Sequence, residues 1–139
     1  MNTFEQLLDG LSHILGIPLH AEKGYICKLL IEGSVRVHLE HESSLGRILI
    51  ASFPAEIPPG KLREDVLKEA LKENSSSDRL GTFAYSSKNN SLAYFTYVPD
   101  SDSPDKIANV LSNFIETTKN WKTAIETGSL HLIQSKGEF

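Results

Sequence analysis

The chain has 139 residues, 40% hydrophobic and 23% charged, with a formal net charge of −4, which is enough for one core and too little for two ordinary domains. Its lysines and arginines are scattered among acids, so it lacks the basic patch of a nucleic-acid binder, and no apolar run approaches the roughly 20 residues of a membrane span. The start, Met1-Asn2-Thr3-Phe4-Glu5, lacks the basic and apolar regions of a secretory signal, and the single cysteine, Cys27, suits a reducing compartment; a cytoplasmic protein without membrane insertion is expected.

Thr3 and Gln6 have the spacing of a capping box. Phe4, Leu7, Leu8, Leu11, Ile14 and Leu15 then recur at helical period, and Gly16 with Pro18 closes the helix. Tyr25 to Glu32 is rich in β-branched and aromatic residues, and Gly33-Ser34 reads as a type II′ hairpin turn. Val35, Val37 and Leu39 alternate with Arg36, His38 and Glu40 as in a half-buried strand. Arg47 to Phe53 follows and is apolar on both faces, so something must cover each of them. Which face turns inward stays open at this level.

Pro54, Pro58, Pro59 and Gly60 mark a break. Leu62, Val66, Leu67, Ala70 and Leu71 then trace a short amphipathic helix. After the Asn74–Asp78 polar loop, Gly81–Tyr85 and Leu92–Val98 form a second hairpin around Lys88-Asn89-Asn90-Ser91. Ser103 is placed as N-cap, with Pro104 at the first helical position and Asp105 in the first turn. Ile107, Val110, Leu111, Phe114, Thr118, Trp121 and Ile125 give the longest stripe. The result is an α+β chain of about five strands and three helices in the order α-β-β-β-α-β-β-α. Residues 1–126 are read as one domain and 127–139 as a tail, either a flexible extension or a short strand around Leu130 to Ile133.

No catalytic, cofactor or metal site emerges. There is no phosphate loop, nucleophile elbow or cysteine pair. His38 and His41 stand three apart on a strand and so point to opposite faces, away from a shared metal. His13, His20 and His131 fall on a solvated helix face, a loop and the tail. Glu40 and Glu42 share one strand face but read as solvated hairpin ends. Cys27 reads as a small half-buried hydrophobe, for want of an activating partner. An excess of apolar strand surface without chemistry indicates a binding protein rather than an enzyme.

The element order resembles that of the class I type III secretion chaperones, the Tir chaperone-like family. The likeness is carried by Phe4-Glu-Gln-Leu-Leu-Asp-Gly-Leu11, by Leu67-Lys-Glu-Ala-Leu71 leading into Gly81-Thr-Phe-Ala-Tyr85, and by Ile107 to Trp121. The resemblance implies a twisted antiparallel sheet backed by helices, no cofactor, and a homodimer through Val66, Leu67, Ala70, Leu71, Phe83 and Tyr85. It also implies an unfolded N-terminal segment of a secreted effector as partner, with secretion-apparatus components as further candidates.

The effector-binding residues expected on this reading are Phe4, Leu8, Leu11, Leu29, Ile31, Val37, Leu39, Leu49, Ala51 and Phe53. For Phe4, Leu8 and Leu11 a place in the core comes first, because an amphipathic stripe ordinarily faces its own core. Two alternatives remain open: a ligand-binding or enzymatic α+β domain with a pocket between sheet and helices, and a structural adaptor for a folded partner.

Overall fold

A computed structural model describes residues 3–133. The elements are α1 (Thr3–Leu15), β1 (Ile26–Ile31), β2 (Val35–Glu42), β3 (Arg47–Glu56), α2 (Lys61–Asn74), β4 (Thr82–Ser86), β5 (Ser91–Pro99) and α3 (Pro104–Thr127). This is the expected α-β-β-β-α-β-β-α order. The strands form one open antiparallel sheet in the order β1-β2-β3-β5-β4, so the second hairpin joins the first through β5 and leaves β4 on the far edge.

Three local readings are corrected. The first turn is not type II′, because Glu32 and Gly33 both have positive φ, 54° and 75°, and Ser34 N donates to Ile31 O at 3.1 Å. Positive φ at both central positions is the I′ pattern, whose twist matches that of the flanking strands. Pro54 does not end the third strand either. β3 runs on to Glu56 through a register shift between Ser52 and Ala55, and a bulge is where a residue without an N–H can sit in a sheet. At the C-terminus, Leu130–Leu132 forms a 3₁₀ turn rather than a strand; the part of the expected tail from 134 to 139 lies outside the described residues.

Alternation in β3 sends Ile48, Ile50 and Ser52 to one face, where α3 packs across the strand. Cys27, Leu29, Val37, Leu39, Leu92 and Tyr94 join them on that inner face, all buried. Ser103 caps α3 as expected, its Oγ accepting from Lys106 N at 3.2 Å. The helix then lays Ile107, Leu111, Phe114, Thr118, Trp121 and Ile125 against the sheet.

The seam between α3 and the sheet is a run of rings. Trp121 lies 4.2 Å from Phe83, Phe83 lies 4.4 Å from Tyr94, and Tyr94 lies 4.7 Å from Phe114, centroid to centroid. Such pairs add about 0.5–1.5 kcal/mol each beyond the area they bury. The polar interruption in this core is answered internally, since Ser52 Oγ and Thr118 Oγ1 are hydrogen bonded at 2.9 Å and Thr118 Oγ1 donates to Phe114 O at 3.0 Å. Gly81 lets the chain pass the stack closely: a Cβ there would lie 2.7 Å from Phe95 O and 2.9 Å from the Tyr94 ring.

Because Phe114 is fully buried within the stack, Phe114→Ala is expected to cost about 3–5 kcal/mol in a urea titration. Tyr94 supplies a pH signature. Burial is the main reason its hydroxyl is pushed up to about 12 from the ordinary 10.0, against the pull of hydrogen bonds with Thr117 and the Gly81 backbone. Its contribution is therefore complete below pH 10.0 and is lost as the pH rises towards about 12. Across that window the stability of the wild type should fall more steeply than that of Tyr94→Phe.

Candidate functional site

The helices α1 and α3 cover one face of the sheet, and the other face carries cross-strand rows of side chains. Register places Leu30 opposite Arg36, and Lys28 opposite His38, which in turn faces Ala51. Ala51 then faces Phe95, and Leu49 faces Tyr97. The outcome is an apolar strip of Leu49, Ala51, Phe53, Phe95 and Tyr97 running obliquely across the centre. Phe53 on β3 and Leu30 on β1, either side of β2, are 53% and 55% exposed, which is unusual for large apolar residues. The strip ends at Arg47, whose guanidinium sits 3.9 Å over the Tyr97 ring while its Nε donates to Glu42 Oε1 at 2.6 Å.

The two edges of the sheet differ. On β4, Asn74 at the end of α2 donates from Nδ2 to Phe83 O at 2.9 Å and accepts from Phe83 N at 2.8 Å. A side-chain amide thus takes the place of a neighbouring strand and blunts that edge. On β1, the start is the part covered among the described residues: Glu22 N donates to Ile26 O at 2.6 Å and Ile26 N to Glu22 O at 3.1 Å. Since antiparallel pairing alternates, Lys28 and Leu30 also turn their backbone groups away from β2, along the edge beyond this bridge. The sequence reading missed Asn74. Its signal was a polar residue at the end of an amphipathic helix, which read simply as the start of a loop.

The ten expected effector-binding positions separate by face. Phe4, Leu8 and Leu11 are buried beneath α3 and the sheet, and Leu29, Val37 and Leu39 are buried on the inner face, with Ile31 partly so. These seven present little or no surface. Leu49, Ala51 and Phe53 lie on the open face and are brought together there. Phe95 and Tyr97 complete the strip and, like Leu30 on the same face of β1, were not singled out from the sequence; alternation alone could not choose the inner face.

The six expected dimer positions divide in a similar way. Val66, Ala70 and Phe83 are buried, Leu67 and Tyr85 are half-buried, and Leu71 is 70% exposed. Leu71 projects from the last turn of α2, one turn beyond the half-buried Leu67. Tyr85 is held by its hydroxyl donating to Asn90 Oδ1 at 2.8 Å and by Arg63, 4.9 Å over its ring.

The polar candidates do not converge on a common centre. His38 Nε2 is hydrogen bonded to Glu40 Oε1 at 3.2 Å on the open face. His41 lies on the other face, its Nε2 3.0 Å from Asp100 Oδ2 and its ring stacked on Phe4 at 5.5 Å. It fastens the start of α1 to the sheet. Glu42 is taken up by Arg47. Cys27 is fully buried, and that burial pushes its thiol up, with Glu22 adding to the effect and a backbone hydrogen bond at His20 opposing it.

The sequence profile of the Tir chaperone protein (CesT) family matches residues 6–122. The chain belongs to that family. It is the one that the sequence resemblance implied, and this CesT-family fold recurs in solved structures of low sequence identity. A chain of the HopA1–SchA chaperone–effector complex superposes with a TM-score of 0.70 at 18% identity, over 88% of this chain and 94% of that one. One from the ExsC–ExsE complex gives 0.67 at 14% identity, over 88% and 92%. Another, from the heterodimeric ExoU–SpcU complex of the Pseudomonas aeruginosa type III secretion system, gives 0.65 at 18% identity, over 86% and 98%. No curated protein sequence matches the chain.

A buried thiol with a raised pKa is a poor nucleophile. Cys27 of this CesT-family chain should resist a thiol-specific reagent at neutral pH and react promptly once urea unfolds it, as followed by absorbance of the released thiolate. Rapid reaction of the folded protein would contradict this placement.

Proposed function

We propose that this chain is a bacterial, cytoplasmic type III secretion chaperone. It holds an unfolded segment of one or more secreted effectors extended along the open sheet face and keeps it soluble and competent for secretion. It acts by binding rather than by catalysis and needs no cofactor. The observation that carries this reading is the one-sided cover of the sheet: an apolar strip across β3 and β5, with Phe53 more than half exposed, and, on the far side of β2 from it, the edge strand β1, whose outward backbone groups at Lys28 and Leu30 can pair with an added strand. Extended segments bind in this way, main-chain hydrogen bonds giving affinity and side-chain contacts giving selectivity. The family assignment and the likeness to chains of chaperone–effector complexes support it.

A ligand-binding domain would keep its cavity between sheet and helices. Here that space is occupied by the rings of Phe83, Tyr94, Phe114 and Trp121. The reading as a small-molecule binder or enzyme therefore has less to support it.

The same proposal includes a homodimer built through α2 and the β4 end. Leu71, at 70% exposure, is the apolar residue that a second copy would cover, with Leu67 one turn before it. Leu71→Asp should leave the monomer fold intact, because the side chain is outside the core, and should shift the sedimentation mass from two chains to one. A wild-type protein that sediments as a monomer at micromolar concentration would remove the dimer from the proposal. Client binding is tested by co-expression with candidate effectors followed by size exclusion: Phe53→Asp should release a segment that wild type retains, and a chain that never retains one is not a chaperone of this kind.

A further inference from the structure

We propose that the open face selects client segments in which acidic residues flank a large apolar anchor, with the anchor between Leu30 and Phe53 and the carboxylates on Lys28 and Arg36. This rests on the chaperone reading above and names the chemistry of the segment. A shallow groove of about 200 Å³ lies here, lined by Lys28, Leu30, Arg36, His38, Ala51 and Phe53 among others. Its floor is β2, which presents Arg36 and His38 on the open face, and Leu30 of β1 and Phe53 of β3 stand at its sides, each more than half exposed. A leucine or phenylalanine side chain laid between them would cover the aliphatic stem of Arg36 and bury apolar area of Leu30 and Phe53 on either side.

The rim is cationic in a chain whose net charge is −4. Lys28 and Arg36 enter no ion pair among the described residues, while His38 is already hydrogen bonded to Glu40, the acid that follows along the same face of β2. Two cations without an ion pair among the described residues therefore line a groove flanked by Leu30 and Phe53, on a chain of net charge −4. The field this creates attracts an anionic segment to this site and repels it elsewhere.

The spacing fits an extended chain. Residues two apart on a strand share a face and stand about 6.6–6.8 Å apart, which is the separation that Lys28 and Leu30 have along β1. A segment laid extended over β2 on the open face, between Leu30 and Phe53, would turn its anchor and the acids two residues to either side toward the groove. A lysine in place of those acids would meet Lys28 and Arg36 with like charge.

The test uses two labelled peptides, one repeating Asp-Ser-Leu-Ser and one repeating Lys-Ser-Leu-Ser, with binding to the full chain read by fluorescence anisotropy at low salt. The aspartate peptide should bind about tenfold more tightly, as two exposed ion pairs would give, and added salt should reduce the difference. The double variant Lys28→Glu, Arg36→Glu should reverse the preference, and Phe53→Asp should weaken both peptides. All three positions lie outside the core, and circular dichroism confirms that the variants fold.

Equal binding of the two peptides, or a preference that survives the double charge reversal, overturns the proposal. It also fails if Phe53→Asp halves the sedimentation mass, since a second copy of the chain would then occupy this face. A co-purified effector separates this idea from the chaperone reading. If the effector stays bound to Lys28→Glu, Arg36→Glu as it does to wild type, the acidic selectivity falls and the chaperone reading stands. If no secreted segment is ever retained yet the peptide preference appears, the chaperone reading falls and the groove chemistry stands.

Discussion

The packing of α3 across one face of the sheet is the contact on which the rest of the molecule depends. A helix of 24 residues meets strands from both hairpins, and the ring series Trp121, Phe83, Tyr94, Phe114 locks it to β4 and β5 while Thr118 hydrogen bonds to Ser52 on β3. One layer of helix can bury only one face of a sheet. Every apolar residue on the opposite face is then left for solvent or for a partner, so the binding surface is a direct consequence of how the core is built.

The edges extend the same asymmetry. At β4 the Asn74 amide answers both main-chain groups of Phe83, which discourages pairing with another strand there. At β1 the Glu22–Ile26 bridge covers, among the described residues, the first residue of the strand. Among the described residues β1 thus keeps the longer open stretch, at Lys28 and Leu30, while the Asn74 amide interrupts β4 near its start. Leu71 on α2 and Phe53 on β3 belong to different surfaces, so a second copy and a client segment need not compete for the same area.

Much of this fold was legible in the chain. The helices have clean 3.6-residue stripes and conventional stops, Gly16 after α1 and Ser103-Pro104 before α3, and these signals are local. The misread places were those where a local rule has a permitted exception. Glu32 adopts positive φ beside Gly33, which changed the turn type, and Pro54 sits at a bulge, which let β3 continue where a break was expected. The binding residues were harder. Leu29, Val37 and Leu39 have the same composition and alternation as Leu49 and Phe53, yet lie on the opposite face, because a two-residue period says which residues are together and not which side is inward.

By itself the sequence determined the order of elements, the excess of apolar strand surface and the absence of any catalytic pattern, because periodicity, caps and residue chemistry are properties of neighbours along the chain. Only the tertiary structure decided that β5 rather than β4 lies beside β3, that α1 and α3 share one face, and that Leu30, Phe53 and two cations meet on the other. Those facts arise from register and packing between residues far apart in sequence, which no local pattern encodes. The apolar excess read from the chain thereby became a particular surface with a direction, an open edge and a charge.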